Sequence, residues 1–277
     1  MSQLHPPQPS TPANRPASPL RLRSHLGDEI LQHRAISRLH LPLRRLWAGV
    51  ALAVLLTLLL LLLRPWLSQA WAVEIVWWMQ ALELPGNFSA QGRGGEGLLS
   101  LAVPFIDVQL AAPNGWAPVV HGLVALGVWW ASGRMSDAAK PVAFLLRFAV
   151  VVHGASVLFF IFWPASFPHS VEQHFDSGLR QAWQLMLLAP WIHLATYYLF
   201  PFAFWQRALL TVLSWLFLFV LTPLQYALHV GLIHHLGLVV MPLLYLLFGV
   251  MLDIIGFVAL YGWAMGWRPQ GGTHAQE

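Results

Sequence analysis

The sequence predicts an all-α membrane protein, a polytopic bundle of about six transmembrane helices with a small periplasmic segment. Three observations lead there. Hydrophobic residues make up 57% of the chain and charged residues only 9%, where a soluble domain carries about 25% charged residues. The apolar residues gather into runs near the roughly 20 that a helix needs to cross about 30 Å of hydrocarbon. The basic residues fall between those runs in an uneven way that selects one orientation.

Residues 1–45 read as a cytoplasmic tail. The first 20 hold six prolines among Ser, Gln and Ala, too little apolar surface to offset the entropy of ordering. Between 24 and 40, Leu26, Ile30, Leu31, Ile36 and Leu39 recur at near-helical spacing with Arg34 and Arg38 on the polar side. That pattern predicts a short interfacial amphipathic helix ended by Pro42. Residues 46–63 are almost pure leucine behind Arg44 and Arg45 and form the first transmembrane anchor. No small-residue cleavage site accompanies this run, so it is expected to stay as a signal anchor.

Residues 64–115 are too many for a turn and are expected to form a periplasmic segment. Trp71, Val73, Ile75, Val76, Trp77, Trp78 and Leu82 suit the headgroup boundary, where indole offers an apolar body and a donor. Gly86, Gly92, Gly94 and Gly95 then break the pattern. Phe105, Ile106, Val108 and Leu110 alternate in part with Asp107 and Gln109, the signal of one strand with no convincing partner. Residues 116–267 supply five further spans, at 116–132, 142–163, 182–204, 208–228 and 238–262, and 268–277 form a short tail.

Six crossings leave both termini on one side. With the N-terminus cytoplasmic, seven arginines before the first span join Arg134, Lys140, Arg207 and Arg268 inside. Only Arg64, Arg93 and Arg180 fall outside, among Glu74, Glu83, Glu96, Asp107, Glu172 and Asp176. The expected place is therefore a bacterial inner membrane with both termini cytoplasmic. The high pI does not imply nucleic acid, because the basic residues border the membrane and face lipid headgroups.

The chemistry-bearing residues are few. No cysteine is present, which removes disulfides, thiolate metal sites and a cysteine nucleophile. The 13 histidines show no tight metal spacing. His229, His234 and His235 do not share a helix face at 100° per residue. His169, His174 and Asp176 precede the fourth span outside. Walker, dinucleotide and Gly-x-Ser-x-Gly patterns are absent, so no cofactor is expected. Two ionisable residues fall within spans, Arg147 and Asp253. At about 8 Å and 13 Å from the cytoplasmic side, they are expected to pair across the bundle, since an unpaired charge in lipid is costly.

Three short motifs lie in the last third of the chain. "DSGLRQAW" runs from Asp176, "TPLQYALHVGLIHHLG" from Thr222 and "LDIIG" from Leu252. In order and approximate spacing they resemble the C-terminal half of an exosortase, a membrane transpeptidase that processes C-terminal sorting tails. The resemblance puts Asp176 where that family has its cysteine, Gln225 where it has its arginine and Leu252 where it has its histidine. Ser177, Gly178, Leu179 and Arg180 follow the first position, and Asp253 and Gly256 the last. Aspartate forms no thioester, glutamine brings no positive charge to an oxyanion and leucine transfers no proton. The chain thus resembles catalytically silent relatives such as the exosortase H-associated family. That implies a non-enzymatic accessory protein bound to an exosortase or its substrates, acting through Asp176, Arg180, Gln225 and Asp253. The alternative is an outer-leaflet enzyme using Asp176 with His169 and His174. The resemblance places Asp253 near the outer mouth of its helix and the span boundaries place it toward the cytoplasm, so its side stays open.

Overall fold

The computed structural model describes residues 43–93, 97, 99–108, 115–199 and 202–267. The expected tails, most of 1–45 and all of 268–277, lie outside the described residues. Residues Met1–Arg45 also form a separate unit from Leu46–Glu277, and the packing below concerns the second unit.

The fold is an all-α membrane bundle. Among the described residues six helices follow one another as α1 (Leu43–Ala81), α2 (Ala117–Ser132), α3 (Lys140–Phe162), α4 (Val171–Leu199), α5 (Phe204–Leu236) and α6 (Leu238–Met265). Of these, α1, α3, α5 and α6 are long and apolar enough to cross a membrane. At 16 residues α2 is about 24 Å long, short of the 30 Å core. Helix α4 has 29 residues, about 43 Å, and its first turns are polar, so roughly nine residues extend beyond the thickness of the hydrocarbon.

The first helix does not stop at residue 63. It runs 39 residues with Pro65 inside it, so the tryptophan-rich stretch expected at the headgroup boundary is its continuation. Trp71, Ile75 and Met79 are buried against the bundle, and that burial outweighs the backbone hydrogen bond which a proline removes. The expected strand is present over β2 (Val103–Val108), with Gln109 and Leu110 outside the described residues, and its partner is β1 (Gly86–Arg93), antiparallel with an irregularity between Ser89 and Gly92. Sequence reading missed β1 because Gly86, Asn87, Ser89 and Gly92 have low strand propensity. Side-chain donors hold this hairpin down. Arg64 donates to the carbonyls of Gly97 and Ser100 at 2.9 and 3.0 Å, Ser68 to Ala102 at 2.6 Å and the Trp183 indole to Leu99 at 2.7 Å.

Helices α4 and α5 form the antiparallel centre. His174 meets His229, Tyr226 packs on Gly178, Trp215 reaches Met186 and His193 meets Thr211. A Cβ on Gly178 would collide with the Tyr226 ring, so this crossing depends on a missing side chain, as close helix packing in membranes commonly does. Gly237 takes a φ of 83° between α5 and α6, a conformation that glycine adopts at little steric cost. Helices α2 and α3 pair with each other, and their joint attachment is at the hairpin end. There His121 contacts the Leu236 carbonyl at 3.1 Å and Ser156 donates to Val239 at 2.7 Å.

Two prolines explain two tryptophans. Proline has no N–H, so the carbonyl four residues earlier loses its helical donor. Pro190 frees the Met186 carbonyl, and the Trp215 indole N–H donates to it at 2.7 Å. Pro223 frees the Phe219 carbonyl, and Trp71 donates to it at 2.9 Å while stacking on the Phe219 ring. In lipid an unpaired backbone group has no water to turn to, so these indoles tie α5 to α4 and α1 to α5.

Candidate functional site

The hairpin end of the bundle carries two hollows, one on each side of the first turns of α4. The first is a cleft of about 260 Å³ between β2 and α4, edged by Pro104, Phe105, Glu172, Asp176 and Arg180. Arg180 Nε donates to Asp176 Oδ2 at 2.8 Å, a pair one helical turn apart with both side chains part exposed. An exposed pair of this kind contributes at most about 0.5 kcal/mol to stability, and it presents an acid and a base to anything lying on the strand.

The second hollow is larger, about 750 Å³, and lies between α3, the start of α4 and the start of α6. Its walls include Val152, Phe159, Phe167, Met241 and Leu246, and its polar groups are His169, Gln173, His174, Ser177 and Tyr245 beside the Ser156 hydroxyl. His174 is 5% exposed and its Nε2 forms a hydrogen bond with His229 Nδ1 at 3.2 Å, the rings stacked with centroids 5.3 Å apart. His174 precedes the apolar part of α4, and burial, reinforced by nearby His169, pushes its pKa down to about 4. It is therefore neutral at pH 7.

Behind His174 runs a buried polar stripe. Thr222, Gln225, Tyr226 and His229 fall at i, i+3, i+4 and i+7 of α5, one helix face, and all four are buried. Among the described residues, Thr222 Oγ1, both Gln225 amide atoms, His229 Nε2 and Asp253 Oδ1 have no hydrogen-bond partner in the protein. Asp253 is 4% exposed and follows a π-helical stretch, Leu244–Met251, within α6. Such stretches are rare and often accompany functional sites. Gly249 faces the Tyr226 hydroxyl, and a Cβ on Gly256 would strike Phe217. Asp253 thus lies level with the middle of α5, between Phe217 and Tyr226, about 18 Å from Met265 along its helix.

The residues singled out from sequence separate into three places. Asp176 and Arg180 meet in the cleft. Gln225 and Asp253 lie in the interior. Arg147 belongs to neither, because its Nε donates to Ser132 Oγ at 3.2 Å and its guanidinium lies 5.5 Å from the Trp129 ring centre. The expected Arg147–Asp253 pair is not formed: the two share no ion pair, and α2 supplies the partners of Arg147. Asp176 and His174, two residues apart on α4, stand about 200° apart around it and line different hollows. His229 does not share a face with His234 and His235, and its partner lies 55 residues away on another helix. The four-residue polar stripe was the legible signal for it.

No group of three His, Cys, Asp or Glu side chains among the described residues is placed to hold a metal ion. No family model, curated protein or solved structure matches this chain.

Proposed function

We propose that this chain is a non-enzymatic membrane accessory protein that binds a partner at the cleft between β2 and α4. In the specific form suggested by the exosortase-like motifs, the partner is an exosortase or the sorting tail of its substrate. The observation that carries the reading is the state of Asp176. Its carboxylate is held by Arg180 in an open cleft, away from the histidines of the larger hollow, an arrangement suited to polar recognition and lacking a base beside a nucleophile. Gln225, at the second family-like position, is enclosed in the bundle. The placement that accompanies this reading is an inner membrane crossed six times with both tails cytoplasmic, supported by the arginine distribution.

Affinity purification in mild detergent followed by mass spectrometry tests it. Recovery of a sorting enzyme or of tail-bearing proteins is expected, with recovery reduced at least fivefold by Asp176→Ala combined with Arg180→Ala. Loss of substrate processing in Asp176→Ala with assembly intact would overturn the accessory role and favour an enzyme using Asp176. The separation of Asp176 from His169 and His174 counts against that rival.

A further inference from the structure

The larger hollow shares only Gln173 with the Asp176 cleft, and we propose that it binds the hydrocarbon chain of a single-chain amphiphile whose head is uncharged, a hydroxyl or ester. Volume narrows the occupant first. A space of about 750 Å³ falls within the range of small-molecule sites, about 300–1,000 Å³. A helix about 10 Å across with a 5.4 Å pitch fills roughly 420 Å³ per turn, so fewer than two turns would enter. A partner helix is too large for it.

The walls narrow the occupant further. An extended peptide brings an N–H and a C=O at nearly every residue, and buried groups of that kind need partners along their length. Val152, Phe159, Phe167, Met241 and Leu246 offer none. The Ser156 hydroxyl is already given to Val239 and the Ser177 hydroxyl to His174. A hydrocarbon chain asks for no such partners and gains from burial against these side chains.

The polar groups choose the head. His169, Gln173 and His174 come from the start of α4 and the segment just before it, so the occupant has one polar end. Among the described residues no Arg, Lys, Asp or Glu lines the hollow, and a charged head brought there would be desolvated without a counter-charge. A neutral head can exchange hydrogen bonds with His174, whose ring is fixed from behind by His229. Entry from the lipid is available between α3 and α6, where the wall residues Tyr245 and Leu246 are themselves exposed.

The test uses the full-length chain in phosphatidylcholine liposomes with a monoacylglycerol bearing a photoreactive diazirine in its chain. Peptide mapping of the adducts is expected to place them on Phe159, Phe167, Met241 and Leu246. Leu246→Trp fills the hollow and should lower the adduct yield at least fivefold, while Leu216→Trp, on an exposed stretch of α5, should leave it unchanged. Adducts spread evenly over lipid-facing side chains would overturn the proposal. So would equal yields in both variants, or displacement of the probe by lysophosphatidylglycerol as effective as that by unlabelled monoacylglycerol.

Discussion

Replacing Trp215 with phenylalanine isolates one hydrogen bond. Its indole donates at 2.7 Å to the Met186 carbonyl, the acceptor deprived of its helical donor by Pro190. Phenylalanine keeps most of the buried ring and removes the donor. Leaving a buried acceptor unpaired costs about 1–3 kcal/mol, and for a protein of this size each kcal/mol moves the unfolding midpoint by about 2–4 °C. Trp215→Phe should therefore lower thermal stability in mild detergent by several degrees, measured by circular dichroism. The discriminating experiment repeats it in a Pro190→Ala background. Alanine restores an N–H that can donate to Met186, so the same substitution should cost about 1–2 kcal/mol less there. An equal cost in both backgrounds would refute the idea that the indole replaces the missing amide.

Other expectations follow from the packing. Gly178→Ala should destabilise by about 1–3 kcal/mol through overpacking against Tyr226, and Tyr226→Leu should recover part of that loss; additive losses would contradict it. Arg147→Ala and Asp253→Ala should act independently, their combined effect matching the sum within about 0.5 kcal/mol, because Arg147 is bound to Ser132. A coupling above about 1 kcal/mol would restore the pairing across the bundle. Stability should also depend on pH through His174. Its folded pKa, about 4, lies below the ordinary value of about 6.5, so the unfolded chain takes up the proton first as pH falls. Its contribution is complete above pH 6.5 and is lost progressively between 6.5 and 4. His174→Gln should flatten the midpoint measured over that window, and an unchanged slope would count against a buried neutral ring.

Much of the bundle was legible because lipid imposes a length and a composition on whatever crosses it. The leucine run of α1 and the apolar stretches of α3, α5 and α6 announce themselves that way. What escaped depended on which helix face meets which neighbour. Depth placed Arg147 and Asp253 at similar levels but carries no azimuth, and the Arg147 stem turns toward Ser132 and Trp129 of α2. The first span is read as 46–63 because the leucine run stops there, whereas the burial of Trp71, Ile75 and Met79 that carries the helix on past Pro65 is not visible in sequence. The strand β1 is held by its pairing with β2 and by the anchored loop between them, which outweigh its own propensities. Of the candidate site, the acid and base at Asp176 and Arg180 could be read from their spacing, and Asp253 as a carboxylate inside an apolar span. The contact of His174 with His229 could not, since it joins two helices through a tertiary crossing made possible by the bare face of Gly178.

The antiparallel threading of long helices through lipid is the claim on which the rest stands, and a chain with no native cysteine allows it to be tested directly. Single cysteines at Asn87 in β1 and at Ser136 in the turn between α2 and α3 can be probed in sealed, oriented vesicles with a membrane-impermeant maleimide. Labelling of the two positions from opposite faces is the predicted result, and labelling of both from the same face would contradict the bundle described.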